Sequence, residues 1–175
     1  MKKNLPLIVG IALPLLFVGI LVAVVSMPPL FVNPQHDFLY TMSGSPYSYA
    51  VAYKNSYTLV DGEVTLQPVV IPPNYNTATL QNAPILYRYE VKDGSAHTIS
   101  LSDAQSLKLD PGPTSPDGYT VSYNYGNNGI FGLFGGNTSD NGYYISNGHS
   151  SKKLTSLTTS DYYSGANFQL IGWVE

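Results

Sequence analysis

Cysteine is absent from the 175 residues, which excludes a disulfide framework, a Cys-ligated metal site and a thiol nucleophile. Stability therefore falls to core packing and backbone hydrogen bonding. Charge is also scarce, at 11% of residues against about 25% in typical soluble domains. Nor is there a cationic surplus. Lys2 and Lys3 lead the chain, and without them 6 Lys/Arg face 11 Asp/Glu, an acidic balance that argues against nucleic acid as partner. Tryptophan occurs once, at Trp173.

What the chain has instead is 15 tyrosines and 29 glycines and prolines, a composition that favours strands and turns over helices. The length accommodates one domain plus an anchor.

The longest apolar run is LPLIVGIALPLLFVGILVAVV, Leu5 to Val25, without charge or strongly polar side chain. As a helix it would reach roughly 30 Å, the thickness of a bilayer core. Pro6 falls in the first turn, where its missing N–H is tolerated, and Pro14 predicts a kink. Lys2 and Lys3 precede the run and the first charge after it is Asp37, so the positive-inside bias places the N-terminus in the cytoplasm. A cleaved signal peptide is the alternative, with Val24 and Ser26 at the −3 and −1 positions, although its apolar core would be unusually long. The expected organisation is a cytoplasmic tail at 1–4, a transmembrane helix at 5–26 in contact with the lipid bilayer, a Pro-containing stalk at 27–36 and an extracytoplasmic β domain at 37–175. This corresponds to a single-pass protein of the cell membrane.

Beyond the stalk, DFLYTM, YSYAVAY, YTLV, EVTLQPVVI, ILYRYEV, HTISL, YTVSY, YYIS, KKLTSL and FQLIGWV recur between turn signals. Most alternate with period two, as half-buried antiparallel strands do. Asp61-Gly62, Asp93-Gly94 and Asn147-Gly148 supply turns that accept positive φ. One short helix is expected near 102–109, where Ser102-Asp103-Ala104-Gln105 has capping-box form. Two longer connections remain: Pro68 to Pro84, a surface excursion, and Asn124 to Gly142, which reads NYGNNGIFGLFGGNTSDNG.

ILYRYEVKDGSAHTISL and YYISNGHSSKKLTSL share an order of aromatic strand, glycine turn and strand ending in leucine, with SPDGYTVSY between them. On Ser115, Pro116, Asp117 and Gly118, followed by an alternating strand, the region Ile85 to Glu175 resembles blades of a TolB-like β-propeller. That resemblance implies blade-like sheets. The domain holds too few strands to close a ring, so an incomplete propeller or an open sandwich is expected. The layout, with NPQHDFLY, LKLDPGPTSPDGY and FQLIGWV, also resembles uncharacterised single-pass membrane proteins of uncultivated bacteria. This second resemblance implies a location and no chemistry.

No catalytic, cofactor-binding or metal-binding constellation is evident. His36, His97 and His149 are isolated from one another in sequence. Asp103, Asp110 and Asp117 recur every seven residues but lack the dense oxygen spacing of a calcium loop, and read as one helix-start residue and two turn residues. Ser150-Ser151-Lys152-Lys153 fits Ser-x-x-Lys only formally, because it opens an expected strand and lacks the companion motifs. Nucleophile elbow, phosphate loop, HExxH and dinucleotide fingerprint are all missing. A non-enzymatic binding, assembly or structural role at the envelope is expected, with an envelope protein as partner. The alternatives are a domain binding carbohydrate or peptidoglycan, the tyrosines forming a platform, and an envelope hydrolase. Ile130, Phe131, Leu133 and Phe134, set among glycines, are the candidate hydrophobic contact loop, and a plug folded back over one end of the core is the reading they suit better.

Overall fold

The structure is a computed structural model that describes residues 5–26, 32–43, 53–71, 73, 77–124, 141–148, 150–157 and 167–175, with the side chains of the first helix described over 10–21. That helix, α1 (Leu5–Ser26), contains Pro14 and has no polar face. Its described side chains are all exposed, Leu15 and Phe17 at 66% and 60%. Among the described residues no helix is long and apolar enough to cross a membrane.

The rest is mainly β, with antiparallel sheets and few helices. Ten strands are described: β1 (Phe38–Ser43), β2 (Asn55–Val60), β3 (Glu63–Pro68), β4 (Leu86–Glu90), β5 (Ser95–Thr98), β6 (Leu109–Asp110), β7 (Thr120–Asn124), β8 (Gly142–Ser146), β9 (Ser151–Lys153) and β10 (Asn167–Val174). They form a five-stranded sheet in the order β5-β4-β1-β10-β6, a β2-β3 hairpin and a three-stranded meander β7-β8-β9.

The five-stranded sheet is the middle layer. Alternation along β1 sends Phe38 and Tyr40 to one face and Leu39 to the other. On the first face these rings meet Tyr89 and Trp173 of the same sheet, and Tyr143 and Ile145 of β8 close over them with Leu154 and Leu157. On the second face Leu39, Leu86 and Ile171 pack with Tyr57 and Val64 of the hairpin, Ala104 of the helix α2 (Leu101–Gln105) and Leu109. Burying both faces of the central strands leaves Phe38, Leu39 and Trp173 fully enclosed.

β10 carries a bulge where it crosses β1. Leu39 faces Gly172 and Tyr40 faces Leu170, so Ile171 is the extra residue. The bulge lets Ile171 and Gly172 both serve the second face. A Cβ on Gly172 would lie 2.7 Å from Leu59 Cδ1 and 2.9 Å from the Asp110 carbonyl, so the close approach of β2 and β6 requires glycine there.

The turns follow their chemistry. Asp61 and Gly62 both have positive φ, 53° and 82°, in the two-residue loop that joins Val60 to Glu63. The Asp93-Gly94 and Asn147-Gly148 turns fall in four-residue loops instead, in which, among the described residues, only the glycine takes positive φ.

Three sequence expectations need correction. The short helix begins earlier than 102: its N-cap is Ser100, whose hydroxyl accepts from the Asp103 N–H, while Ala104 reaches the core. It also ends at Gln105, because Leu109–Asp110 pairs with Trp173 and Val174 as β6, a two-residue strand too short to leave a periodic trace. Part of the expected stalk belongs to the domain, since Val32 is buried in the aromatic core. The two halves of the apparent repeat also separate, β4-β5 entering the central sheet and β8-β9 the outer one.

Candidate functional site

The most structured polar region is the end of the central sheet where β1 begins and β4 and β10 finish, the root of the domain. An open cleft of about 420 Å³ lies there, lined by charged residues that include Asp37, Arg88, Glu90, Lys92 and Asp93. Asp37 organises it. Its Oδ2 accepts from Arg88 Nη2 at 2.6 Å and Nε at 3.1 Å, and its Oδ1 accepts from the Val91 N–H at 3.0 Å. The carboxylate is therefore fully used inside the fold. The adjacent main chain is tied as well, the Val174 N–H donating to the Asp37 carbonyl at 2.8 Å and His36 Nδ1 bonding the Val174 carbonyl at 2.8 Å.

Beside this cleft the SPDG segment forms a closed turn. The Gly118 N–H donates to the Ser115 carbonyl, the Ser115 N–H to the Tyr119 carbonyl, and the Tyr119 N–H to Ser115 Oγ. Ser115, only 4% exposed, donates its hydroxyl proton to Asp117 Oδ1 at 2.5 Å. Positive φ at Gly118 turns the chain into β7. Asp117 Oδ2 is left facing outward and accepts the Gln35 N–H at 2.7 Å, while Tyr119 Oη accepts the Asn33 N–H at 3.2 Å. Sequence reading placed the turn and missed its grip on residues 33–35, whose only sign was an Asp far away in the chain.

The two described histidines each hydrogen-bond within the fold. His36 bonds Val174 as described, and His97 Nε2 bonds Ser95 Oγ on β5. His149 lies outside the described residues. Among the described residues no group of three or more His, Asp or Glu could hold a metal ion. The heptad-spaced aspartates do separate work: Asp103 accepts from Ser100 at the helix start, Asp110 Oδ1 accepts the Gly112 N–H, and Asp117 is shared between Ser115 and Gln35. Ser150 to Lys153 runs into β9, an extended conformation that denies the serine–lysine approach one helical turn would give.

Tyrosines supply much of the described core. Tyr40 stacks on Tyr87 and Phe168 at 5.3 Å, Tyr143 meets Phe168 at 4.9 Å, and Phe38 stacks on Tyr89 at 4.9 Å. Burial raises the Tyr40 phenol far above its ordinary range, with help from neighbouring Tyr87 and Tyr89, and raises Tyr89 too, against a bond from Ser156. These rings are spent on packing.

The candidate contact residues Ile130, Phe131, Leu133 and Phe134 lie outside the described residues. Their connection leaves from Asn124 and returns at Gly142, a cross-strand pair at the end of β7-β8 opposite the SPDG turn.

No family model, no curated protein and no solved structure matches the chain.

Proposed function

We propose that the chain is a single-pass membrane protein, cytoplasmic at its N-terminus, that presents the layered β domain outside the cell as a non-enzymatic module for binding or assembly with an envelope protein. One observation carries the reading: α1 has no polar face and exposes its described side chains all round, whereas the β domain gathers most of its described apolar residues into two buried clusters. A helix apolar on every side suits lipid better than water. The uncharged run Leu5 to Val25 supplies the length of a span, and Lys2 and Lys3 set its direction. Asp37, Arg88 and His36 at the root are held in fold contacts, which favours a structural or binding role over hydrolysis.

The fold reading is an open sandwich with one blade-like layer, supported by the meander β7-β8-β9 that follows the SPDG turn. The contact surface proposed for the module is Ile130, Phe131, Leu133 and Phe134, whose flanking described residues Asn124 and Gly142 pair at the end of β7-β8 opposite the SPDG turn.

The test is expression of the full chain in a bacterium, followed by alkaline carbonate extraction and protease treatment of spheroplasts. The protein is expected to stay in the pellet, and external protease is expected to remove the β domain's epitope. Release by carbonate, or protection of the domain, would refute the topology. Replacing Phe131 and Phe134 with Ser in the same chain is expected to abolish co-purification of an envelope partner while leaving the melting temperature within about 2 °C of wild type, a shift below that of a 1 kcal/mol defect.

A further inference from the structure

The polar contacts at the root share one property: most of them hold the segment that leads from α1 into β1. Val32 is buried against the same cluster as Tyr119, and Asn33, Gln35, His36 and Asp37 are each bonded to a distant part of the chain. Those bonds reach across 51 to 138 residues of sequence, to β4, the SPDG turn and the end of β10. A spacer meant only to give reach would leave its backbone to water.

The fastening sets a geometry. With Val32 held, only residues 27–31 connect α1 to the folded body, and an extended chain of that length covers roughly 20 Å. Were 32–37 free, the same tether would cover roughly 40 Å, enough for the domain to tumble. The opposite end, where β7 stops at Asn124 and β8 starts at Gly142, stands another strand length away, roughly 20 Å. Charge does not explain such an orientation, because Asp37, Glu90, Asp93 and Glu175 outnumber Arg88 and Lys92 around the cleft, and anionic headgroups would repel that surplus.

Resting on the anchored reading above, we infer that residues 32–37 are a clasp, closed by the SPDG turn and the end of β10, that holds the β domain root-down against the lipid surface. The root is then the membrane-facing surface and the Asn124–Gly142 end the one offered to partners. Asp117 and Tyr119 are positioning residues in this scheme: one carboxylate oxygen shapes the turn and the other grips Gln35.

The absence of cysteine makes the orientation directly measurable. The full chain would be reconstituted in phosphatidylcholine vesicles, with a dye on Asp93→Cys at the root or on Asn141→Cys at the far end and an acceptor on the lipid headgroups. Root-end transfer is expected to exceed far-end transfer by at least about threefold, given one strand length between the positions. Tyr119→Phe, which removes one clasp bond, and Asp117→Ala, which removes another, are expected to bring the ratio towards one, Tyr119→Phe keeping the native melting temperature. Equal transfer in vesicle-bound wild type overturns the clasp. A high ratio that neither substitution lowers also overturns it, since something else would then hold the domain. Failure of the chain to float with the vesicles removes the anchored reading itself, and with it the clasp.

Discussion

The two faces of the central sheet are made from alternate residues of the same strands, yet they are built differently. One is a continuous set of rings, Phe38, Tyr40, Tyr87, Tyr89, Phe168 and Trp173, roofed by a second sheet. The other is mostly aliphatic, Leu39, Leu86, Ile171 and Leu109, roofed by a hairpin and a single helical turn, with Tyr57 at 9% exposure and Ala104 fully buried. Large flat rings hold the first roof at a distance, and polar atoms travel inward with them. Small side chains bring the second roof close enough for backbone to touch side chain at Gly172.

The largest predicted effect tests whether the ring face dominates stability. Trp173 is fully enclosed between Phe38 and the outer sheet, and its Nε1 has no hydrogen-bond partner among the described residues. Trp173→Ala is expected to destabilise by about 3–5 kcal/mol and Leu39→Ala on the aliphatic face by about 2–5, measured by urea unfolding. Trp173→Phe should recover most of the loss, because it restores ring volume and removes a buried donor that has lost its water. An unchanged midpoint for Trp173→Ala would mean that the outer sheet is not seated on this face.

The aliphatic face should fail in the opposite sense, by crowding. Gly172→Ala adds a methyl 2.9 Å from the Asp110 carbonyl, and although Leu59 can rotate away, the backbone of β6 cannot. The expected loss is about 1–3 kcal/mol. Pairing it with Leu59→Ala should recover only part of the loss, because the carbonyl contact persists. Full recovery would show that Leu59 alone sets the limit.

How much of this was legible in the sequence depends on the kind of residue. Strands with period-two alternation, such as LYRYE in β4 and FQLIGWV in β10, announce themselves, and so does the Asp61-Gly62 turn. The identity of their neighbours does not: nothing local tells that β1 pairs with β10 across more than a hundred residues, or that the two Gly-turn units would part into different sheets. The helix cap was misplaced by two residues because Ser100 and Ser102 both stand three before a residue able to answer, and only the packing of Ala104 chooses between them. At the root, Asp37 and Asp117 read as ordinary charged and turn residues. Their roles rest on Arg88, Val91 and Gln35, which the fold delivers from elsewhere.

The smallest effect concerns pH and separates the faces chemically. Tyr40 and Tyr89 lie on the ring face, and burial, the leading cause in both, raises their phenols above the ordinary value of 10.0. Below pH 10 the folded and unfolded chains both keep these protons, so their contribution to stability is fully present. As pH climbs past that value the unfolded chain releases them while the folded chain holds on, and stability falls with rising pH until the folded phenols ionise as well. Tyr40→Phe leaves no proton to release there. It is expected to change stability at pH 8 by less than about 1.5 kcal/mol, the change of a single hydroxyl in a packed ring. Between pH 9.5 and 11 it should flatten the decline, and Tyr40→Phe with Tyr89→Phe should flatten it further. Urea midpoints across that range decide the matter. If the double variant loses stability as steeply as wild type, these two rings are not sealed from water, and the aromatic face is looser than its packing implies.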